Sequence, residues 1–385
     1  MFERREDEMA AGKLARYRLY FRKRPVLLAL LAVLAVLFFL MVTALSRAYQ
    51  AQREALGNRW FERGVANLNA KRFDAAVSDF RSALLYSRDN YSYQLNLAEA
   101  LLGLRHTGEA SAYLLNLWER EPESGLVNLE LARIAAQQGH TDQAVRYYHD
   151  AVYSTWSGDE RSQRRDARLE LIELLLRTHA RADAQAELIA LAENAGEDPA
   201  EQERIGGLFL RAEDYEHALA AFQIALKADR HNPAALAGAG EAAFRLGRYP
   251  EAQKFLQAAV TANPNDAESV ERLKTTEMVM NMDPYRRPIS VSQRNRAVVD
   301  AFHTAGERLE SCPVPPAPGS GPSLSDSWAA LQPQISELGL RRNPDLVDSA
   351  IDLVFRIERQ TRDACGRPSG PDLALLLIAK LHEGN

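Results

Sequence analysis

Cysteine is nearly absent from this chain: there are two in 385 residues, Cys312 and Cys365, at a spacing that fits no zinc-binding or thioredoxin-like pattern. Histidine is sparse as well. The eight, His106, His140, His149, His179, His217, His231, His303 and His382, form no H-x-x-x-H or HExxH pair that would put two metal ligands on one helix face. No Walker sequence and no G-x-S-x-G elbow occurs. Gly238, Gly240 and Ala243 match the loose G-x-G-x-x-A form, but no strand precedes them to make a phosphate-binding turn. Carboxylates such as Glu170 and Glu173 would need a shielded pocket to act as an acid and base pair, and an exposed helix face supplies none. Excess positive charge is missing too: 47 basic against 52 acidic residues leave a net charge of -5, which excludes the broad field that holds nucleic-acid backbones. These absences lead us to expect no enzyme, no cofactor, no metal and no nucleic-acid partner.

One long hydrophobic run is present. Val26 to Leu45 are twenty residues without a charge, which as a helix rise about 30 Å and match the hydrocarbon core of a bilayer. Arg4, Arg5, Lys13, Arg16, Arg18, Arg22, Lys23 and Arg24 precede it, whereas Arg47, Arg53 and Arg59 are the nearest basic residues beyond it. The positive-inside bias therefore predicts a cytoplasmic basic segment over 1–24, a transmembrane helix over 25–46 and the remainder outside the cytoplasm. Ala44-Leu45-Ser46 resembles a signal-peptidase site, but the apolar run exceeds a typical signal h-region and its leader is long, so an uncleaved anchor is expected.

Beyond the run the sequence repeats with a period of 34 residues. Trp60, Gly64, Phe73, Ala76, Phe80 and Ala83 open the pattern; Ala110, Leu114, Leu117 and Pro122 continue it, then Ala144, Tyr148 and Ala151. After a slip of six residues at the polar stretch SGDERSQ, Ala184, Leu188 and Leu191 resume it. Gly206, Tyr215, Ala218, Phe222 and Ala225 follow, and then Gly240, Gly247, Tyr249, Ala252, Leu256, Ala259 and Pro264. Small residues at fixed places let two helices approach, while a large one fills the space between neighbouring hairpins. This pattern resembles the tetratricopeptide repeat, with Arg63 and Asn67 standing where that family has Leu and Tyr. The resemblance implies an all-α chain: an N-terminal transmembrane helix, an α-solenoid over 57–266 with about six helix-turn-helix units, and a small C-terminal helical region. The units fall near 57–90, 91–124, 125–158, 165–198, 199–232 and 233–266. SGDERSQ reads as an enlarged turn, and 267–282 as a capping helix with Glu271, Arg272 and Lys274 on a polar outer face.

From Asp283 the repeat ends. Residues 283–385 are expected to form a C-terminal helical domain, with helices near 291–310, 325–338, 345–363 and 371–382 and a Pro/Gly/Ser-rich linker over 311–323. The last helix is too short to span a bilayer; it is the centre of a small bundle or it docks on the solenoid end. Outside the cytoplasm Cys312 and Cys365 can pair, closing a loop of about 53 residues; in the cytoplasm they would be two buried thiols.

Tetratricopeptide proteins commonly hold protein or peptide segments in the groove lined by the first helix of each unit, and the resemblance implies the same here. Arg177, Arg211 and Arg245 recur at 34-residue intervals near the end of that helix, one turn beyond the equivalent residues Glu99, Arg133, Glu173 and Glu241. These seven are the candidate groove residues. The arginines either clamp an acidic peptide or pair with their own Glu at i, i+4. The family's chaperone clamp uses Lys, Asn and Arg; Phe61, Val65, Leu126 and Glu130 occupy four of its sites, and only Asn96 fits. The expected function is a scaffold or assembly factor in a bacterial inner-membrane complex, N-terminus cytoplasmic and repeats periplasmic. The alternatives are an envelope receptor for a glycan, or an enzyme built on the C-terminal region.

Overall fold

A computed structural model describes residues 3–156, 158–315 and 322–383, with side-chain surroundings from Leu28 onward. The side chains of the basic segment 1–24, Ser157 and the linker stretch 316–321 lie outside the described residues. The chain divides into two compact units, Met1–Ala167 and Arg168–Asn385.

The first unit holds α1 (Glu3–Asn69), α2 (Phe73–Tyr86), α3 (Tyr91–Gly103), α4 (Thr107–Arg120), α5 (Gly125–Gln137), α6 (Thr141–Tyr153) and the start of α7 (Glu160–Arg177). Among the described residues one helix, α1, is long and apolar enough to cross a membrane, and none of them covers its apolar stretch from Leu28 on: Leu34 is 56% and Phe38 68% exposed. The same helix runs unbroken into the first hairpin, where Gly64 lies against Phe80 so closely that a Cβ would fall 2.5 Å from the ring. Ala76, Phe80, Leu97, Ala98, Leu101, Ala110, Leu114 and Leu117 make a continuous core between successive hairpins.

The two departures from the family pattern have one cause. Asp79 on α2 is 1% exposed, and its Oδ1 accepts from Arg63 Nε at 2.9 Å while its Oδ2 accepts from Asn67 Nδ2 at 2.7 Å. A buried carboxylate without such donors would be costly, so Arg63 and Asn67 replace the usual apolar pair because Asp79 is there.

The six units leave a mark on the backbone itself. Lys71, Arg105, Gly139, His179, Glu213 and Gly247 occupy the turn between the two helices of each hairpin, all with φ between 57° and 78°. Their spacing repeats the 34-residue period with its single six-residue slip. Four of the six are not glycine, although the left-handed region favours it. Glu213→Gly, which relieves that preference on an exposed turn, is expected to stabilise the second unit by about 1 kcal/mol in urea titration; Gly247→Ala is expected to do the reverse.

The slip is absorbed differently from the enlarged turn expected of SGDERSQ. Helix α7 begins at Glu160, so most of that stretch is helical, and the extra residues lengthen the helix. Ahead of it Thr155 makes a parallel bridge with Ser124, and the Trp156 ring covers Gly125.

The second unit continues from Arg168 with α8 (Arg181–Ala195), α9 (Pro199–Arg211), α10 (Tyr215–Ala228), α11 (Pro233–Arg245), α12 (Tyr249–Ala262) and α13 (Ala267–Met282). Phe222 fills the space between Gly206 of its own hairpin and Gly238 of the next, where Cβ atoms would fall 2.9 and 2.3 Å from the ring. After α13 come α14 (Val291–Ser311), α15 (Leu324–Leu331), a 3-10 turn (Gln332–Gln334), α16 (Glu337–Arg342), α17 (Asp345–Cys365) and α18 (Gly370–Leu381).

Two expectations for this region need correction. The helix read over 325–338 is broken into α15, the 3-10 turn and α16, because Pro333 ends the first piece and Gly339 must pass Gln334: a Cβ there would sit 2.2 Å from its carbonyl oxygen. Helix α13 keeps Glu271 and Lys274 exposed but does not end the stack, since α14 and α18 pack against it. Helix α18 also packs on α14 and α17, so it both centres a small bundle and docks on the last repeat. A side-chain pin holds that joint: His382 Nε2 lies 3.2 Å from Asp283 Oδ1, and Tyr285 donates its hydroxyl to Asp348 at 3.1 Å. Cys312, ending α14, and Cys365, ending α17, stand at disulfide distance with Cα atoms 6.3 Å apart.

Candidate functional site

The first helices of the hairpins, α3, α5, α7, α9 and α11, carry the candidate residues. Each presents one side to its partner helix through small residues such as Ala98, Gly206 and Gly240, which leaves another side free. The seven candidates divide between the two units.

Glu99 and Arg133 belong to the first unit. Glu99 is exposed on α3, and loss of surrounding water pushes its carboxyl above the usual value. Arg133 bonds Glu130 one turn back on α5 at 2.5 Å, and both line a hollow of about 440 Å³ with Leu102, Arg105, Thr107, Ile134 and Gln137.

In the second unit Glu173, Arg177 and Arg211 come together. The bond that forms is not the expected i, i+4 pair within α7. Arg211 of α9 reaches back one hairpin and takes Glu173 with two parallel bonds, Nη1 to Oε1 and Nη2 to Oε2, both 2.8 Å. That clasp holds the Glu173 carboxyl below its ordinary value, helped by the positive charges of Arg204 and Arg177. Arg177 and Arg204 are exposed and make no ion pair among the described residues.

One hairpin further on, Glu241 receives two guanidinium groups. Arg245 bonds it within α11 at 2.6 Å, the i, i+4 pair expected, and Arg272 of α13 reaches it with Nε at 2.5 Å. The Arg272 guanidinium also lies over the Phe244 ring, 4.6 Å from its centre. Thus Arg177, Arg211 and Arg245 keep equivalent positions but not equivalent partners: one has no carboxylate, one crosses to the preceding hairpin, and one stays on its own helix.

Arg204 was not singled out from sequence, and Arg272 only as part of the capping helix's polar face, although the two stand two repeat lengths apart with Gly238 between them. Aligning every position of the hairpin, rather than the end of its first helix, would have found them. Between Arg204 and Arg211 lies Gly207, where an added Cβ would meet nothing within 4 Å, so the surface there is open.

Two family models describing the tetratricopeptide repeat match this chain, over residues 95–160 and 209–276. Among curated proteins no relative matches. Among solved structures, YrrB, described as a TPR protein with an unusual peptide-binding site, is 15% identical; the match covers 50% of this chain and 95% of that one, with a TM-score of 0.40. The pilF protein of Pseudomonas aeruginosa is also 15% identical, covering 57% of this chain and 97% of its own at a TM-score of 0.40. PilW, described as a widely conserved type IV pilus biogenesis factor, is 16% identical, with coverages of 57% and 98% and a TM-score of 0.38. Superpositions this loose carry no argument about function. The matched models, the paired helices with their left-handed turns, and the Gly–Phe packing between hairpins together identify residues 95–160 and 209–276 as tetratricopeptide repeats.

Proposed function

We propose that this protein is a membrane-anchored, non-catalytic scaffold that presents a tetratricopeptide solenoid outside the cytoplasm and holds segments of partner proteins on the first-helix face of its repeats. The observation that carries the reading is α1: an apolar stretch with no protein cover, continuous with the first hairpin. Exposed Leu, Val and Phe between Leu28 and Leu45 are stable in hydrocarbon and not in water. Helical structure through Ala44-Leu45-Ser46 favours an anchor over a cleaved leader, since a protease needs an extended segment. The basic residues before the span support a cytoplasmic N-terminus, and the Cys312–Cys365 pair suits an oxidising compartment such as a bacterial periplasm.

Carbonate washing of native membranes should leave the full chain in the pellet, with release by detergent only. Mass spectrometry should find the basic segment still attached. A mature N-terminus at Arg47, or release by carbonate, would overturn the anchor. A photo-crosslinker placed at Arg245 in native membranes should form a defined adduct with a protein of the same complex. Absence of any adduct there, with adducts from the convex helices instead, would overturn the groove.

A further inference from the structure

We infer that the first-helix face of α7 and α9 recognises an acidic segment of a partner protein, whose carboxylates bond Arg177 and Arg204 on either side of the Glu173–Arg211 clasp. The inference rests on the reading of that face as the docking surface and adds the chemistry of what docks.

Position places these groups together. Arg177 follows Glu173 by one turn on α7, and Arg204 precedes Arg211 by two turns on α9, so both flank the bidentate pair. Each oxygen of Glu173 accepts from Arg211 and neither bonds Arg177 or Arg204, whose positive charges reach it only through space. Glu173 therefore leaves the donors of Arg177 and Arg204 unmatched among the described residues, while fixing Arg211 as a rigid support between them. Each guanidinium offers a planar set of N–H donors that fits a carboxylate with two parallel bonds, which an ammonium does not reproduce.

Two nearby carboxylates are already engaged elsewhere: Glu203 accepts from Asn232, which caps α11, at 2.7 Å, and Glu241 on α11 is held by Arg245 and Arg272. Those two arginines continue the same chemistry along the next hairpins, with the Glu241 carboxylate shared between them. A neutral segment would leave Arg177 and Arg204 without acceptors beneath it, and a basic segment would oppose them. The floor between them is open at Gly207, which gives a partner's main chain room to approach.

The test uses the full chain in detergent micelles and fluorescence anisotropy of two labelled peptides, one of alternating Asp and Ala and the same peptide with Asn in place of Asp. The acidic peptide should bind about tenfold more tightly or better, and the preference should shrink as salt rises. Arg177→Glu with Arg204→Glu should remove the preference. Both side chains are exposed, and an unchanged circular-dichroism melt verifies that the fold is kept. Gly207→Trp fills the open floor and should weaken both peptides alike. If Gly207→Trp blocks binding but the two peptides bind equally, or the charge reversals leave the preference intact, the acidic-segment inference is overturned and the groove stands. If neither change affects binding, both readings fall.

Discussion

Exchanging Glu358 for glutamine should stabilise the C-terminal helices by several kcal/mol at alkaline pH and remove most of the pH dependence of their unfolding. Glu358 sits on α17 with no exposed surface, and neither carboxyl oxygen has a hydrogen-bond partner among the described residues. Loss of water, aided by the negative charge of Asp372 and opposed by Arg308, pushes its pKa up to about 8. In the unfolded chain the group returns to an ordinary value near 4.5. Below that value both states carry the proton and burial costs no charge. As pH rises from about 4.5 to about 8 the unfolded chain releases its proton while the folded one retains it, so stability falls across that window and levels off above it. At about 1.4 kcal/mol per pH unit the full loss is on the order of 5 kcal/mol. Denaturant titrations of the full chain and of the Glu358→Gln variant between mildly acidic and mildly alkaline pH measure this directly. Equal slopes in the two proteins would reject the account.

Removing the Cys312–Cys365 pair is the other change of this size. The pair joins the ends of α14 and α17 across 53 residues that include the Pro/Gly/Ser-rich linker. Closing a loop of that length restricts the unfolded chain by about 4 kcal/mol on the chain-entropy model. Arg308 donates to the Gly366 carbonyl at 3.3 Å beside it, and Cys312 is only 2% exposed, whereas Cys365 lies at the surface. Reduction, or Cys312→Ser, should lower the Tm of the C-terminal helices while the first unit melts as before. Protein taken from native membranes should show free thiols only after reductant. Two titratable thiols without it would discard the bridge and, with it, the main support for an oxidising compartment.

The repeats were legible because their packing depends on residue size at fixed places. Gly64 against Phe80 and Gly206 against Phe222 are each visible as a small residue followed at constant distance by a large one. Polar partners were harder to read. Arg211 meets Glu173 across hairpins, at one repeat plus one turn, whereas helix periodicity suggests only the pair inside a helix. Asp79 was not recognised as buried, so Arg63 and Asn67 stood as unexplained exceptions. Glu358 gave a usable signal that went unread: it continues the apolar stripe of Ile351 and Val354 on α17, where a solvated carboxylate has no place. The break at Pro333 and Gly339 depends on a backbone contact that periodicity does not encode.

The unbroken course of α1 from the apolar stretch into the first hairpin leaves no swivel between them. A helix turns about 100° and climbs about 1.5 Å with each residue, so the stretch between Leu45 and Gly57 sets both the azimuth and the height of α2 relative to the span. Lengthening it by a single alanine would rotate the first hairpin by more than a quarter turn, whereas adding a whole heptad would lift it by about 10 Å and nearly restore its heading. Insertions of differing length there therefore separate a partner that cares about orientation from one that cares only about distance.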